Sequence, residues 1–425
     1  MKKGFFCRLK TRLSYTCFDG VLKACGRMSV PLRATIMSAF SIPMMFAWYL
    51  RFRFVEPGKK TFGITLRLSE PTSDTEALID YLESNLDAER IYLFVKSKSR
   101  ALEFECFFRK NRNSKLVLVD TSWEAGKALG SVRSLMLQSR ECMKPYFPIV
   151  FSMCKGRTVL DFGHGVVTKG SAEYKFPDNL SKIRRYAARP KLYALFGFRL
   201  RGLKVVNNGI HGYLAKGNSF TSQMIAPVGL PRFFRAKELL QSRRESISGK
   251  ESESMRILYA PTRESTLWDL PGMDSRKLYA ALEGLGACLY VKNHPSRSGQ
   301  LHDENRLKDR FFVVDPCLYK SPLDLVAEMD LVLTDRSSIM MEAIALDVPV
   351  IHLVNKSSKP EEVVLEHVFS LPGRKVDEFS SLVSALETPL ADLVSEQSYA
   401  KTVWSLNPEN SMSCAYSDIT KQLML

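Results

Sequence analysis

Three short apolar runs in the last third of the chain each stop at a polar group. Arg256-Ile-Leu-Tyr-Ala leads into Pro261-Thr262-Arg263, Cys288-Leu-Tyr-Val-Lys into Asn293-His294-Pro295, and Leu331-Val-Leu-Thr into Asp335-Arg336-Ser337-Ser338. Short apolar runs between helical stretches read as buried parallel strands. Right-handed crossovers bring the ends of such strands to one sheet edge, which is where ligands bind in open α/β sheets. The pattern therefore brings a guanidinium, an imidazole and two hydroxyls to one edge, a set suited to a phosphorylated ligand.

The same alternation runs through the first half. Thr75–Asp87 and Ser122–Arg140 read as helices. Ile91–Val95, Leu116–Asp120, Pro148–Met153, Thr158–Phe162 and Lys204–Asn207 read as strands. This predicts βαβ units and a parallel sheet. Gln241–Met255 is polar and almost free of apolar residues, as a linker should be. The expected division is 1–60, a basic amphipathic or interfacial membrane segment; 61–240, an α/β domain; 241–255, a linker; 256–390, a second α/β domain; and 391–425, a helical segment packing back across the domain cleft. A chain of 425 residues fits two domains better than one core.

Charge sharpens the reading of the first segment. Residues 1–60 hold twelve Lys/Arg against Asp19 and Glu56, a net +10 of the chain's +16. A basic end rather than a basic whole argues for an anionic lipid surface and against nucleic acid. Residues 34–50 carry no charge, but seventeen residues make a helix of about 25 Å, short of the roughly 30 Å hydrocarbon core. An interfacial helix is expected there, with a buried soluble helix and a true span as the other readings. Nine cysteines, an odd count without a C-x-x-C pair, argue against a zinc site or a disulfide framework and for a reducing compartment. The placement expected is peripheral, on the cytoplasmic face of the membrane.

Further chemistry sits at 163–170, Gly-His-Gly-Val-Val-Thr-Lys-Gly, just past a strand-like TVLDF. Flanking glycines let a ligand approach the backbone. His164 suits a general base because its pKa lies near neutrality, and Lys169 suits phosphate. A loop histidine with a solvated lysine is the plainer reading. A similar string begins at His211. Pro295 holds the preceding His294 extended at its strand end. Ser337 and Ser338 precede a helix-like run, where they either cap the helix or help its amides hold phosphate.

In order, these segments resemble the CDP-glycerol glycerophosphotransferase family, the teichoic-acid polymerases and primases. The resemblance rests on His164-Gly165…Lys169, Gly229-Leu230-Pro231-Arg232, Ala260-Pro261-Thr262, His294-Pro295 and Asp335…Ser337-Ser338, across about residues 145–355. His164 precedes Pro231 by 67 residues and His211 by 20, so His164 fits the family spacing. Phe162-Gly163 replaces the family's usual Trp, Phe233-Phe234 its Asn-Asp, and Arg336 its Tyr.

The resemblance implies a GT-B-like fold of two Rossmann-like domains with parallel sheets facing a cleft. It implies transfer of a polyol phosphate, glycerol phosphate in the first instance, from a CDP-activated donor to a hydroxyl of a lipid-linked glycan or polymer, with release of CMP. His164 and His294 would be catalytic. Thr262, Arg263, His294, Asp335, Ser337 and Ser338 would bind the donor. Lys169 and Arg232 would serve acceptor or phosphate, unless Arg232 only shapes the interdomain turn. No cofactor and no metal are expected. A CMP-sugar-dependent sialyl- or polysialyltransferase and a non-catalytic membrane-associated glycan-binding protein are the alternatives.

Overall fold

In the computed structural model, the residues described are 46–66, 73–95, 115–120, 123–138, 151, 154–162, 203–206, 225–226, 230–249, 254–261, 267–292, 309–315, 318–319, 321–335, 337–354 and 373–403. They form two wholly parallel sheets. The first has seven strands in the order β3-β2-β1-β4-β5-β6-β7. These are β1 Thr61–Thr65, β2 Arg90–Val95, β3 Leu116–Asp120, β4 Ser134–Leu137, β5 Thr158–Asp161, β6 Leu203–Val206 and β7 Ile225–Ala226. The second has six in the order β10-β9-β8-β11-β12-β13. These are β8 Met255–Tyr259, β9 Ala287–Val291, β10 Phe311–Val313, β11 Leu331–Thr334, β12 Val350–Leu353 and β13 Arg374–Val376. The helices are α1 Ser73–Ser84, α2 Trp123–Ser131, α3 Arg232–Gly249, α4 Ser275–Gly284, α5 Pro322–Ala327, α6 Ile339–Ala345, α7 Phe379–Leu386 and α8 Leu390–Val403.

Strand alternation explains the layering. Tyr92, Phe94, Leu135, Leu137 and Val159 face an outer core with α2. Their neighbours Ile91, Leu93, Val95, Met136 and Leu160 face the interior of the molecule. In the second sheet Ile257, Tyr259, Leu289 and Leu333 face the outer core with α4 and α7, whereas Leu258, Val332 and Val350 face inward. The inward faces meet in one hydrophobic cluster through α1, α3, α5 and α6. The two α/β blocks thus share a core, with α3 as its central pillar.

That pillar corrects the expected linker at 241–255. Helix α3 runs to Gly249 and β8 begins at Met255. The polar sequence belongs to a helix whose charges find partners on the second block. Arg243 donates to the carbonyls of Ala327 (3.0 Å) and Met329 (2.5 Å), and Arg244 pairs with Asp347 at 3.3 Å. A low apolar content therefore marks a helix tied by ion pairs and carbonyl contacts rather than a free connection.

Two further expectations change. Ser122–Arg140 divides into α2 and β4, because the buried run Ser134–Leu137 pairs between β1 and β5. Of the expected strand Pro148–Met153, Phe151 is described and is helical, its ring edge-on to Phe52 at 5.9 Å; the rest lies outside the described residues. Helix α8 packs on β12, β13 and α6 of its own block, and the rest of the expected segment 391–425 lies outside the described residues.

The expected membrane segment 1–60 is also shortened. Residues 1–45 lie outside the described residues, but 46–54 are helical and belong to the first block. Trp48 and Phe52 are buried in its outer core. Arg157 fixes this helix from below. It is itself buried, stacks under Phe52 and Phe151, and donates to the carbonyls of Phe52 and Val55 as well as Leu129, Gly130 and Val132. Burial lowers its pKa, and carbonyls at the ends of two helices offset the charge. Phe46 and Phe54 remain exposed. Among the described residues no helix is long and apolar enough to cross a membrane.

The fit of Trp48 is tight. A Cβ at Gly126 would lie 2.0 Å from the indole Cη2. Gly126→Ala is therefore expected to expel the indole and destabilise the first block by about 1–3 kcal/mol, the usual cost of overpacking. A red-shifted tryptophan emission and a lower denaturant midpoint are the expected readings.

Candidate active site at the facing strand ends

On the second sheet, β9, β8 and β11 are immediate neighbours, with Tyr259 level with Val291 on one side and Leu333 on the other. Backbone bonds continue this register past the strand ends. Lys292 N–H donates to the Tyr259 carbonyl at 2.9 Å, and Ala260 N–H to that of Leu333 at 3.0 Å. The Thr334 hydroxyl closes the row by donating to the Ala260 carbonyl at 2.7 Å. The three motif-bearing segments therefore leave the sheet side by side, as their apolar runs predict. Asp335 is buried at this edge, and Ser337 and Ser338 stand half-buried beside it. Thr262, Arg263, His294 and Arg336 lie outside the described residues.

Ser338 occupies the N-cap of α6, yet its side chain makes no capping bond. The carbonyls of Ser337 and Ser338 instead accept from Met340 and Met341. For Ser338, plain side-chain capping is not what the structure shows.

On the first sheet, β1, β4 and β5 are also neighbours, with Leu137 level with both Thr65 and Asp161. β5 confirms a strand that ends three residues before His164. His164 and Lys169 lie outside the described residues, as does His211. A buried polar set lines this edge: the Thr75 hydroxyl donates to Gln138 Oε1 at 2.6 Å, and Gln138 N–H donates to Thr65 Oγ1 at 3.1 Å.

Arg232 lies between the two blocks and is only 3% exposed. Its Nη2 pairs with Asp74 Oδ2 at 2.6 Å and its Nη1 with Glu342 Oε1 at 2.5 Å, while its own backbone N–H donates to Asp74 Oδ1 at 2.9 Å. Burial opposes this charge, but the two carboxylates and their hydrogen bonds outweigh it and hold the guanidinium above its ordinary pKa. One turn along α3, Arg235 pairs with Asp80 at 2.9 Å and with Asp324 at 2.6 Å. These contacts correct the acceptor or phosphate role for Arg232, since both ends of its fork are taken by protein carboxylates. They describe the turn-shaping role instead. Asp74, Asp80, Asp324 and Glu342 escape sequence reasoning, because nothing in their local patterns says that they meet across an interface.

The family described as CDP-glycerol:poly(glycerophosphate) glycerophosphotransferase matches residues 69–418. The chain belongs to this family. Its enzymes transfer glycerol phosphate from CDP-glycerol, and that selects the CDP-glycerol reading over a CMP-sugar transferase or a non-catalytic glycan binder. No curated protein matches by sequence. Among solved structures, the glycerophosphotransferase is similar to the wall teichoic acid polymerase TagF, at 15% identity over 92% of this chain and 96% of that one, with a TM-score of 0.59. A variant of that polymerase soaked with CDPG matches at 17% identity, 92% and 98% coverage and a TM-score of 0.59. The UDP-GlcNAc 2-epimerase from Neisseria meningitidis bound to UDP-GlcNAc matches at 11% identity, 86% and 99% coverage and a TM-score of 0.51. At such identities these likenesses establish the fold, a GT-B-like pair of parallel α/β blocks.

Proposed function

We propose that CDP-glycerol binds at the carboxyl edge of the second sheet and that a polymer or lipid-linked glycan hydroxyl approaches from the first. The observation that supports this is the adjacency of β9, β8 and β11, which sets side by side, as one ledge, the strand ends that lead in sequence to His294, Thr262–Arg263 and Asp335–Ser338. His294, Ser337 and Ser338 hold the pyrophosphate, with Thr262, Arg263 and Asp335 around it. His164 takes the proton of the attacking hydroxyl, and Lys169 steadies phosphate. The hydroxyl oxygen forms a bond to the phosphorus bearing glycerol, the phosphorus–oxygen bond to CMP breaks, and CMP leaves with that electron pair. Phosphoryl transfer of this kind rests mainly on positioning and charge neutralisation, and the ledge supplies both. The CDPG-soaked polymerase supports the choice of nucleotide.

The acceptor is a membrane-bound glycan or growing polymer, and the enzyme sits peripherally on the cytoplasmic face. Support comes from the +10 charge of residues 1–60 and from the exposed Phe46 and Phe54 beside Arg53. Basic residues near anionic lipid contribute about 1 kcal/mol each.

The donor site is tested by calorimetric titration with CDP-glycerol. His294→Ala and Ser338→Ala should each weaken binding by roughly 10-fold or more, the loss expected for a hydrogen bond to a charged oxygen. Unchanged affinity in both variants removes the pyrophosphate assignment.

A further inference from the structure

Arg232 and Arg235 of α3 form a matched pair of bridges. Each spans from an acid on α1 of the first block to an acid on the second: Asp74–Arg232–Glu342, then Asp80–Arg235–Asp324. Both first-block acids lie on α1, which follows β1 at the carboxyl edge of the first sheet. Glu342 lies four residues after Ser338, in the helix that opens at the donor ledge. Arg232 therefore joins an element leaving one sheet edge to an element leaving the other.

A buried ion triad is a poor device for stability, because desolvation offsets most of the attraction. It is a good device for geometry. A planar guanidinium holding carboxylates on two of its nitrogens fixes distance and angle together, and a lysine cannot reproduce this. The second bridge, three residues along the same helix, removes the remaining freedom to rotate about the first. We infer that Arg232 and Arg235 are positioning residues for glycerol phosphate transfer, setting the donor ledge against the acceptor edge so that the attacking oxygen meets phosphorus in line. This rests on the two-edge arrangement under Proposed function. In-line transfer needs reacting atoms about 3–3.5 Å apart, and a displacement of about 1 Å can cost 10²-fold in rate. Binding of CDP-glycerol involves the second block alone and escapes this penalty. So does hydrolysis of the donor by water, which needs no aligned acceptor.

The test uses the full chain with CDP-glycerol and a short synthetic poly(glycerophosphate). Transfer, donor hydrolysis and donor affinity are measured separately. Arg232→Met combined with Asp74→Asn and Glu342→Gln removes the triad without leaving a buried lone charge. Arg235→Met acts at the half-exposed bridge, where folding is least at risk. The expected result is a roughly 10²-fold lower kcat for transfer in the triple variant and roughly 10-fold lower in Arg235→Met. Donor affinity and hydrolysis should stay within about threefold, and Arg232→Lys should fail to restore transfer. Parent protein that binds and hydrolyses CDP-glycerol shows that the donor reading stands independently. Transfer within threefold of the parent in either folded variant, or transfer and hydrolysis falling together, overturns the positioning role.

Discussion

His164→Ala should lower the turnover for transfer by roughly 10²-fold or more while leaving CDP-glycerol affinity close to that of the parent enzyme. The expectation combines an observed strand with the chemistry of its continuation. β5 ends at Asp161 beside β4, which pairs in turn with β1, so in sequence the glycine-flanked His164 follows the strand end at the proposed acceptor edge. A base placed there acts on the attacking hydroxyl and not on the donor, hence the split between turnover and affinity. Steady-state transfer and a donor titration on the same preparation check both halves. Near-normal turnover in His164→Ala together with an inactive His211→Ala would move the base to the second histidine.

Removing residues 1–55 should cost the first block its fold, whereas removing residues 1–45 should leave it folded but detached from anionic vesicles. The boundary follows from the contacts of the helix at 46–54. Trp48 and Phe52 each fill core volume whose loss costs about 3–5 kcal/mol. The shorter chain also deprives buried Arg157 of the Phe52 and Val55 carbonyls and of the ring above it. Together these losses approach the roughly 5–15 kcal/mol that holds a typical domain. Circular dichroism and vesicle sedimentation of the two truncations test the claim. A well-folded 56–425 chain would contradict the docked helix. A 46–425 chain that still sediments with anionic vesicles would place the membrane contact elsewhere.

The sheets were legible because buried parallel strands leave a strong mark: a short apolar run that stops abruptly. Thr158–Asp161, Leu331–Thr334 and Ala287–Val291 all show it. β4 was hidden inside a longer helical reading because Ser134–Leu137 follows α2 with only Val132 and Arg133 between. Helix α3 was hidden for the opposite reason. Its residues Gln241–Gly249 carry polar groups that serve ion pairs and carbonyl contacts, which periodicity does not register. The site divided in the same way. The place of Asp335, Ser337 and Ser338 between a strand end and a helix was legible because they follow an apolar run. The burial of Arg232 was not, because it depends on Asp74 and Glu342, distant in sequence and brought together only by the packing of α1, α3 and α6. Trp48 lies in the uncharged stretch 34–50 that reads as an interfacial helix, but here it fills the space left by Gly126.

The most direct test of the central claim is product analysis. Purified full-length protein is incubated with CDP-glycerol and a short poly(glycerophosphate), and CMP is measured alongside acceptor mass. The account predicts one CMP released for each glycerol phosphate added to the acceptor, with no product from CMP-sugars. CMP released from a CMP-sugar with sugar transfer, or an acceptor unchanged by CDP-glycerol, would contradict it.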